Sequence, residues 1–350
     1  MSDRYSRQIL LSEVGEKGQA KLSKSHVAVV GCGGLGAIAA SYLAGAGIGS
    51  LTLIDGDQPD ISNVHRQVLY TGEEGEAKSL VLNKKLRTLN PEIKIHTSTN
   101  YLTKENIDEH LTGVDLIMEC TDDIMCKYLV NDFAVIEQIP LVYGAIYKYE
   151  GYVSTFINQE ETDLHLRDLF PYPDETIPTC SEVGVLNTIA GLIGLLQANE
   201  VLKVILDIGE PLVGKLLTYD CLTNRQLVLK MNKTWTEDME ELFEKTSYLP
   251  LDCSIVQELS IKDLISNRDQ FSLISVLSQE EHHPIDAQTV HLPNVKWEHV
   301  DDLSANLPIV LYCKTGRVSK KLAAKLMDEK AGFQVYSLKD GLKGYRKFIS

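Results

Sequence analysis

Val27-Ala28-Val29-Val30-Gly31-Cys32-Gly33-Gly34-Leu35-Gly36, continued by Leu51-Thr52-Leu53-Ile54-Asp55, is the stretch that decides the fold. Four apolar, mostly β-branched residues predict a strand buried in a parallel sheet. Gly31, Gly33 and Gly36 follow it as G-x-G-x-x-G. An apolar helix is expected from Leu35 to Gly45, with Gly47 and Gly49 in the turn behind it and a second strand ending at Asp55. Such a unit lets a phosphate approach backbone N–H groups at a helix N-terminus, while the acid bonds a ribose hydroxyl. The glycines carry weight because a strand precedes them and a helix follows. NAD, FAD and ATP all fit such a unit, so the nucleotide is open at this level.

The chain has 350 residues, enough for two domains. A nucleotide domain is expected over 1–246, a linker over 247–257 and a second α/β unit over 258–350. The fold class is therefore α/β: a Rossmann-like mixed sheet followed by a small α/β domain. A net charge of −15 argues against a nucleic-acid partner. The apolar window Val183 to Ile205 is broken by Asn187, Gln197, Asn199, Glu200 and Lys203, which predicts a buried helix and no membrane contact. Met1-Ser2-Asp3-Arg4 lacks a signal peptide's basic start, and seven cysteines without a C-x-x-C pair suit a reducing cytoplasm. The same count leaves no four-cysteine zinc site.

Outward from the glycine turn, Arg4-Tyr5-Ser6-Arg7-Gln8 reads as a solvated arm. The polar loop Ile61-Ser62-Asn63-Val64-His65-Arg66-Gln67 falls near the carboxyl end of the second strand, where open α/β sheets bind ligands. Arg66 and Lys78 are cations within reach of a polyphosphate. Lys78 opens an amphipathic helix with Leu80, Val81, Leu82, Leu86 and Leu89 inside. Val114 to Cys120 is a strand ending in Thr121-Asp122-Asp123. Acids there serve as a Mg²⁺ ligand or as a helix N-cap. Tyr149 to Phe156 is expected to run back antiparallel, and Leu216 to Asp220 to pair with Arg225 to Leu229. The proline-bearing stretch Asp163 to Cys180 reads as a loop, which places Cys180 near a helix N-terminus.

In the second unit, Phe271 to Val276 and Pro308 to Tyr312 read as strands. The latter ends in Cys313-Lys314-Thr315-Gly316-Arg317-Val318-Ser319, with a helix behind it. Loop N–H groups and basic side chains there would stabilise a thiolate or persulfide.

Several pieces agree in order and spacing with one family: Arg4-Tyr5-Ser6-Arg7-Gln8, the glycine turn, Asp55-Gly56-Asp57, Ser62 to Gln67, Lys78, Cys120-Thr121-Asp122-Asp123 and Thr179-Cys180-Ser181-Glu182-Val183-Gly184-Val185. Residues 1 to about 230 resemble the ThiF/MoeB/HesA adenylyltransferases, relatives of ubiquitin-activating enzymes that activate ubiquitin-like sulfur carriers for molybdopterin and thiamine synthesis. From about Glu258 the chain resembles a rhodanese domain, through the Cys313 loop and Lys339-Asp340-Gly341-Leu342-Lys343-Gly344-Tyr345.

The resemblance implies ATP and Mg²⁺ as cofactors and adenylation of the C-terminal glycine of a carrier ending in Gly-Gly. It implies that Gly31, Gly33, Gly34 and Gly36 hold phosphates and that Asp55 bonds the ribose. Asp57, Ser62, Asn63 and Asp123 would complete the site, Arg66 and Lys78 neutralise charge, and Asp122 hold Mg²⁺. Arg7 would reach the nucleotide of a second subunit in a homodimer. Cys180 matches a cysteine that some relatives link to the carrier. Cys313 would carry a persulfide from a donor such as a cysteine desulfurase. Relatives often carry zinc on two C-x-x-C pairs, which would fall at His165 and Asp168 and near Trp235 to Asp238; no zinc site is expected here. The acid and arginine usual on the first rhodanese strand are replaced by Ser275 and Leu277, and Arg317 is followed by Val318. Two alternatives share these residues. An NAD-dependent oxidoreductase shares the glycines and Asp55 but has no use for Arg66, Lys78 and the Asp122 pair. A non-catalytic nucleotide-binding protein with a decayed rhodanese unit is the other.

Overall fold

The computed structural model describes residues 3–71, 75–160, 163–173, 184–249, 256–277, 283–293, 307–329 and 334–349. They form two compact units. In the first, β1 (His26–Val30), β2 (Ser50–Ile54), β3 (Lys94–Ser98), β4 (Leu116–Glu119), β5 (Leu141–Tyr147), β6 (Glu150–Phe156), β7 (Lys215–Asp220) and β8 (Arg225–Lys230) make one sheet. Its order is β3-β2-β1-β4-β5-β6-β7-β8. The first five are mutually parallel and β6 to β8 are antiparallel; the return of Tyr149 to Phe156 and the pairing of Leu216 to Asp220 with Arg225 to Leu229 are as expected.

The parallel strands are apolar throughout because both faces are covered. Val27 and Val29 belong to one core, Ala28 and Val30 to the other. Each fully buried Val or Leu side chain contributes roughly 1.5–3 kcal/mol. Nine helices among the described residues complete the unit: α1 (Ser6–Ile9), α2 (Gly15–Leu22), α3 (Gly36–Ala46), α4 (Lys78–Leu89), α5 (Ile107–Leu111), α6 (Ile124–Ile136), α7 (Leu166–Leu169), α8 (Asn187–Leu206) and α9 (Met239–Lys245). Residues of α3, α4 and α8 fill the first core and those of α5 and α6 the second, so the sheet is wound on both faces. Strand order reverses between β1 and β4, the switch point where such sheets open a crevice.

By length and composition, α8 is the one helix among the described residues able to cross a membrane. Here it is a core beam, with Ile189, Ala190, Ile193 and Val201 wholly buried. Its polar residues are hooks. Gln197 Nε2 donates to the Glu119 carbonyl at 2.7 Å. Glu200 accepts from the Thr155 hydroxyl at 2.8 Å and the Leu212 N–H at 2.7 Å.

Four expectations change. The N-terminal arm is docked: a Cβ on Gly47 would lie 2.6 Å from the Tyr5 ring, and Asn90 Nδ2 donates to Tyr5 Oη at 2.7 Å. Gln8 Nε2 donates to the Ala46 carbonyl at 3.0 Å. Leu89, expected inside, is exposed, because α4 is ending as it arrives. The stretch from Asp163 contains α7 where a loop was expected. The linker is shorter at both ends: Tyr248 is buried in the first unit, and Val256 in the second.

The second unit contains β9 (Gln257–Leu259), α10 (Ile261–Ser266), β10 (Ser272–Ser275), β11 (Val290–His291), β12 (Ile309–Tyr312), α11 (Arg317–Glu329), β13 (Val335–Leu338) and α12 (Gly341–Ile349). Its parallel sheet runs β11-β10-β12-β13-β9. Central β12 is wholly buried, with Ile309 and Leu311 in one core and Val310 and Tyr312 in the other.

Candidate active site

The glycine turn closes β1 at the switch point, and its geometry explains each glycine. Gly31 has φ +90°, and a Cβ there would lie 2.9 Å from the carbonyl carbon of Cys120 at the end of β4. A Cβ on Gly36 would lie 1.9 Å from the Gly31 carbonyl oxygen, so α3 can start this close only with glycine. Gly33 and Gly34 face the polar loop: their Cβ atoms would meet Gln67 Nε2 at 3.3 Å and the Arg66 carbonyl at 3.1 Å. The Ser62–Gln67 loop is therefore packed directly on the turn. Tyr70 anchors it by donating to the Cys32 carbonyl at 2.5 Å.

Asp55, just past β2, accepts the Cys32 N–H at 2.7 Å and the Asp57 N–H at 2.8 Å. Burial pushes its carboxyl up, and Lys78 and these two amides oppose the push. Lys78 is 3% exposed, and its Nζ lies 2.8 Å from Asp57 Oδ2. The cation is thus held by a carboxylate. Burial would raise the Asp57 carboxyl, but bonds from Lys78 and Tyr101 outweigh it and hold the group low. Tyr101 donates to Asp57 Oδ1 at 2.5 Å; that bond, burial and the charges of Asp57, Asp55 and Asp122 push its phenol up to about 12. Four acidic or phenolic groups therefore share one mouth with Lys78.

Arg66 is half-buried on the loop. Ser62 is exposed, and Asp60 accepts both its N–H and its hydroxyl. The Asn63 carbonyl accepts the Arg66 N–H at 3.0 Å. The two acids after β4 divide the alternatives read in the sequence. Asp123 caps α6, accepting from Met125 N–H at 2.8 Å and Cys126 N–H at 3.1 Å, while Asp122 is exposed. Arg7 is exposed on α1. Cys180 lies outside the described residues.

A buried pair escaped the sequence reading. Glu119 ends β4 and bonds Lys127 of α6; Lys127 also donates to the Gly144 carbonyl at 2.9 Å. Glu119 accepts the Thr121 N–H at 2.7 Å, so it fixes the turn that presents Asp122. A lone acid and a lone lysine inside apolar runs were the available signal.

The residues at the zinc positions do come together, but not as a metal site. Asp168 accepts the N–H groups of His165 at 3.0 Å, Thr234 at 2.7 Å and Trp235 at 2.8 Å. Burial works to raise its carboxyl, and these amides override it and hold it low. The carboxylate is committed to backbone, and no cluster of three or more His, Cys, Asp or Glu among the described residues is placed to hold a metal. These residues do not fit zinc; the Asp168 carboxylate joins the two segments, helped by the Thr234 hydroxyl on the Asp168 carbonyl and by Trp235 packed against His165. The His165 ring is buried, which pushes it down to about 4 and keeps it neutral.

In the second unit, Cys313 closes β12 at the mouth of a turn that starts α11, with Lys314 exposed beside it. Gly341 meets this turn so closely that a Cβ would lie 2.3 Å from the Cys313 carbonyl oxygen. Ser275 and Leu277 are both buried. An arginine–acid pair does exist nearby, between Arg268 and Asp286.

Compared with known proteins, residues 5–239 match the ThiF family. The chain belongs to the ThiF family. The sulfur carrier protein adenylyltransferase of Thermus thermophilus is 43% identical over 66% of this chain and 88% of its own length. The probable adenylyltransferase/sulfurtransferase MoeZ of Mycobacterium tuberculosis is 31% identical over 98% of this chain and 92% of its own, so that match runs through both units. Among solved structures, Escherichia coli MccB with ATP superposes with a TM-score of 0.58 at 22% identity, over 67% of this chain and 72% of its own. That likeness is one of fold. ThiF membership favours adenylyl transfer over the nicotinamide alternative, and ATP is the nucleotide of the family.

Proposed function

We propose that this ThiF-family protein uses ATP to adenylate the C-terminal glycine of a ubiquitin-like sulfur carrier ending in Gly-Gly, and that its second unit delivers sulfur to the product. The observation that carries the reading is the convergence at one switch point of the glycine turn, Asp55, the Asp57–Lys78 pair, the Arg66 loop and Asp122.

A carrier's α-carboxyl group titrates at about 3.5 and is ionised at neutral pH, so the attack on the α-phosphorus of ATP needs no general base. The carboxylate oxygen bonds phosphorus as the bond to pyrophosphate breaks. The protein's task is to position two anions and neutralise their charge. In this reading the turn's N–H groups and Arg66 hold the phosphates and Asp55 bonds the ribose. Lys78, held by Asp57, can trade that carboxylate for a phosphate oxygen. One exposed acid, Asp122, with its neighbour spent on the helix cap, suits Mg²⁺, which keeps several waters and phosphate oxygens. Bound there, Mg²⁺ would neutralise charge on the departing pyrophosphate. In the second step Cys313 would carry the sulfur, supplied by a donor such as a cysteine desulfurase. We place Arg7 at the nucleotide of a second subunit in a homodimer. Free cysteines suit a cytoplasmic setting.

The test is exchange of labelled pyrophosphate into ATP with each candidate carrier. Arg66→Ala and Lys78→Ala are expected to lower carrier-dependent exchange at least about 100-fold. Wild-type rates in both variants would overturn the assignment.

A further inference from the structure

Cys313 is only 4% exposed, with the hydroxyl of Ser319, the last residue of the Cys313 to Ser319 stretch, against its sulfur and that of Ser337 behind it. Ser319 Oγ, on α11, is 3.5 Å from Cys313 Sγ and 3.0 Å from the Gly316 carbonyl oxygen. It is also 2.9 Å from Ser337 Oγ, on β13. Ser337 Oγ is 3.1 Å from the same Gly316 carbonyl. Both serines are wholly buried, so these contacts are their hydrogen-bonding environment.

A hydroxyl has one proton to give. While the sulfur is a thiol, its S–H can point to Ser319 Oγ, and Ser319 can serve the Gly316 carbonyl. Once the sulfur is anionic, Ser319 must turn its proton to Sγ. If Ser319 acted alone, the carbonyl would keep the Lys320 N–H, which it accepts at 3.1 Å, but lose its second donor, which offsets part of the gain. Ser337 is within reach of that carbonyl and can take it over. The carbonyl then keeps two donors, the Lys320 N–H and one serine hydroxyl, in either charge state.

We propose that Ser319 and Ser337 form a two-hydroxyl relay that stabilises the anionic sulfur of Cys313, thiolate or persulfide. Ser319 donates to the sulfur, and Ser337 frees it to do so. Both are positioning residues, and the inference deepens the sulfur-transfer half of the proposed function and rests on it. Ionisation releases one proton from Cys313 to solvent; within the relay two hydroxyls only change acceptor.

The test is the pH profile of Cys313 alkylation by iodoacetamide in the full chain, read on the Cys313 peptide by mass spectrometry. Ser319→Ala is expected to move the profile's midpoint up by about one pH unit and slow the reaction at neutral pH about tenfold. Ser337→Ala is expected to slow it about threefold, since Ser319 must then divide its proton between sulfur and carbonyl. Ser319→Thr restores the hydroxyl and most of the rate. An unchanged profile in Ser319→Ala overturns the relay, as does a Ser337→Ala profile identical to wild type. Should Ser319→Ala fail to fold, Ser337→Ala and Ser319→Thr still decide between these outcomes. Sulfur transfer from thiosulfate to cyanide is measured separately on the wild type. Shifted profiles without any such transfer would sustain the relay and remove the sulfur-transfer reading.

Discussion

The two units solve a similar architectural problem in opposite ways. Each ends a buried parallel strand in a glycine-bearing turn that starts a helix: β1 into α3, and β12 into α11. Around the first turn the partners are charged, with Asp55 on the Cys32 amide and Asp57 on Lys78. At the second the sulfur's side-chain hydrogen-bond partner is neutral, with Ser319 on Cys313 and Ser337 on Ser319. The difference follows from what each turn must meet. A polyphosphate needs cations, and a buried cation needs a carboxylate to hold it until the ligand arrives. An anionic sulfur beside a carboxylate would be discouraged, whereas a hydroxyl donates without adding negative charge.

The strongest challenge to this comparison is steric. Gly36→Ala places a methyl group against the Gly31 carbonyl and is expected to destabilise the first unit by roughly 3 kcal/mol or more and abolish thermal protection by Mg-ATP. Gly316→Ala, at φ +88° with its nearest contact at 3.0 Å, is expected to cost only about 1–2 kcal/mol. Thermal melts of both variants with and without Mg-ATP read this ordering, and its reversal would break the comparison.

Cys313→Ser separates the two chemistries. Carrier-dependent pyrophosphate exchange is expected to persist while thiocarboxylate formation falls at least about 100-fold. Normal thiocarboxylate formation would make the second turn a bystander.

Electrostatics sharpens the contrast next. The His165 ring falls from an ordinary 6.5 to about 4 on folding, so below pH 6.5 the unfolded chain binds a proton that the native chain refuses. Stability of the first unit is therefore expected to fall as pH drops from 6.5 toward 4, by up to about 3 kcal/mol. His165→Gln should flatten that slope in melts recorded across this window. An equally steep slope in the variant would assign the acid sensitivity elsewhere. The smallest expected effect is at Asp122: Asp122→Asn should raise the Mg²⁺ concentration needed for half-maximal exchange about tenfold. An unchanged requirement would move the metal site.

What could be read from the sequence was what neighbouring residues determine. Val27 to Gly36 and Leu51 to Asp55 specify strand, turn, helix and acid within a few residues of one another, and the structure places them so. Asp122 and Asp123 were read as a pair with two possible uses, and folding gave one use to Asp123. Lys78 was legible as a cation but not as the partner of Asp57, because the pairing depends on where β2 ends relative to α4. The docking of Tyr5 onto Gly47 and the meeting of Ser319 with Ser337 join segments whose spacing follows no local period. Cores form between elements, and a pattern confined to one element cannot disclose its partner.

Asp168 has a consequence beyond local geometry. One carboxylate gathers amides from two distant stretches of chain, so the fastening there is a rivet made of the protein's own atoms. Metal starvation cannot strip it, and peroxide has no sulfur ligand there to oxidise. The first unit is thereby fastened at this point in a way that trace-element supply does not reach.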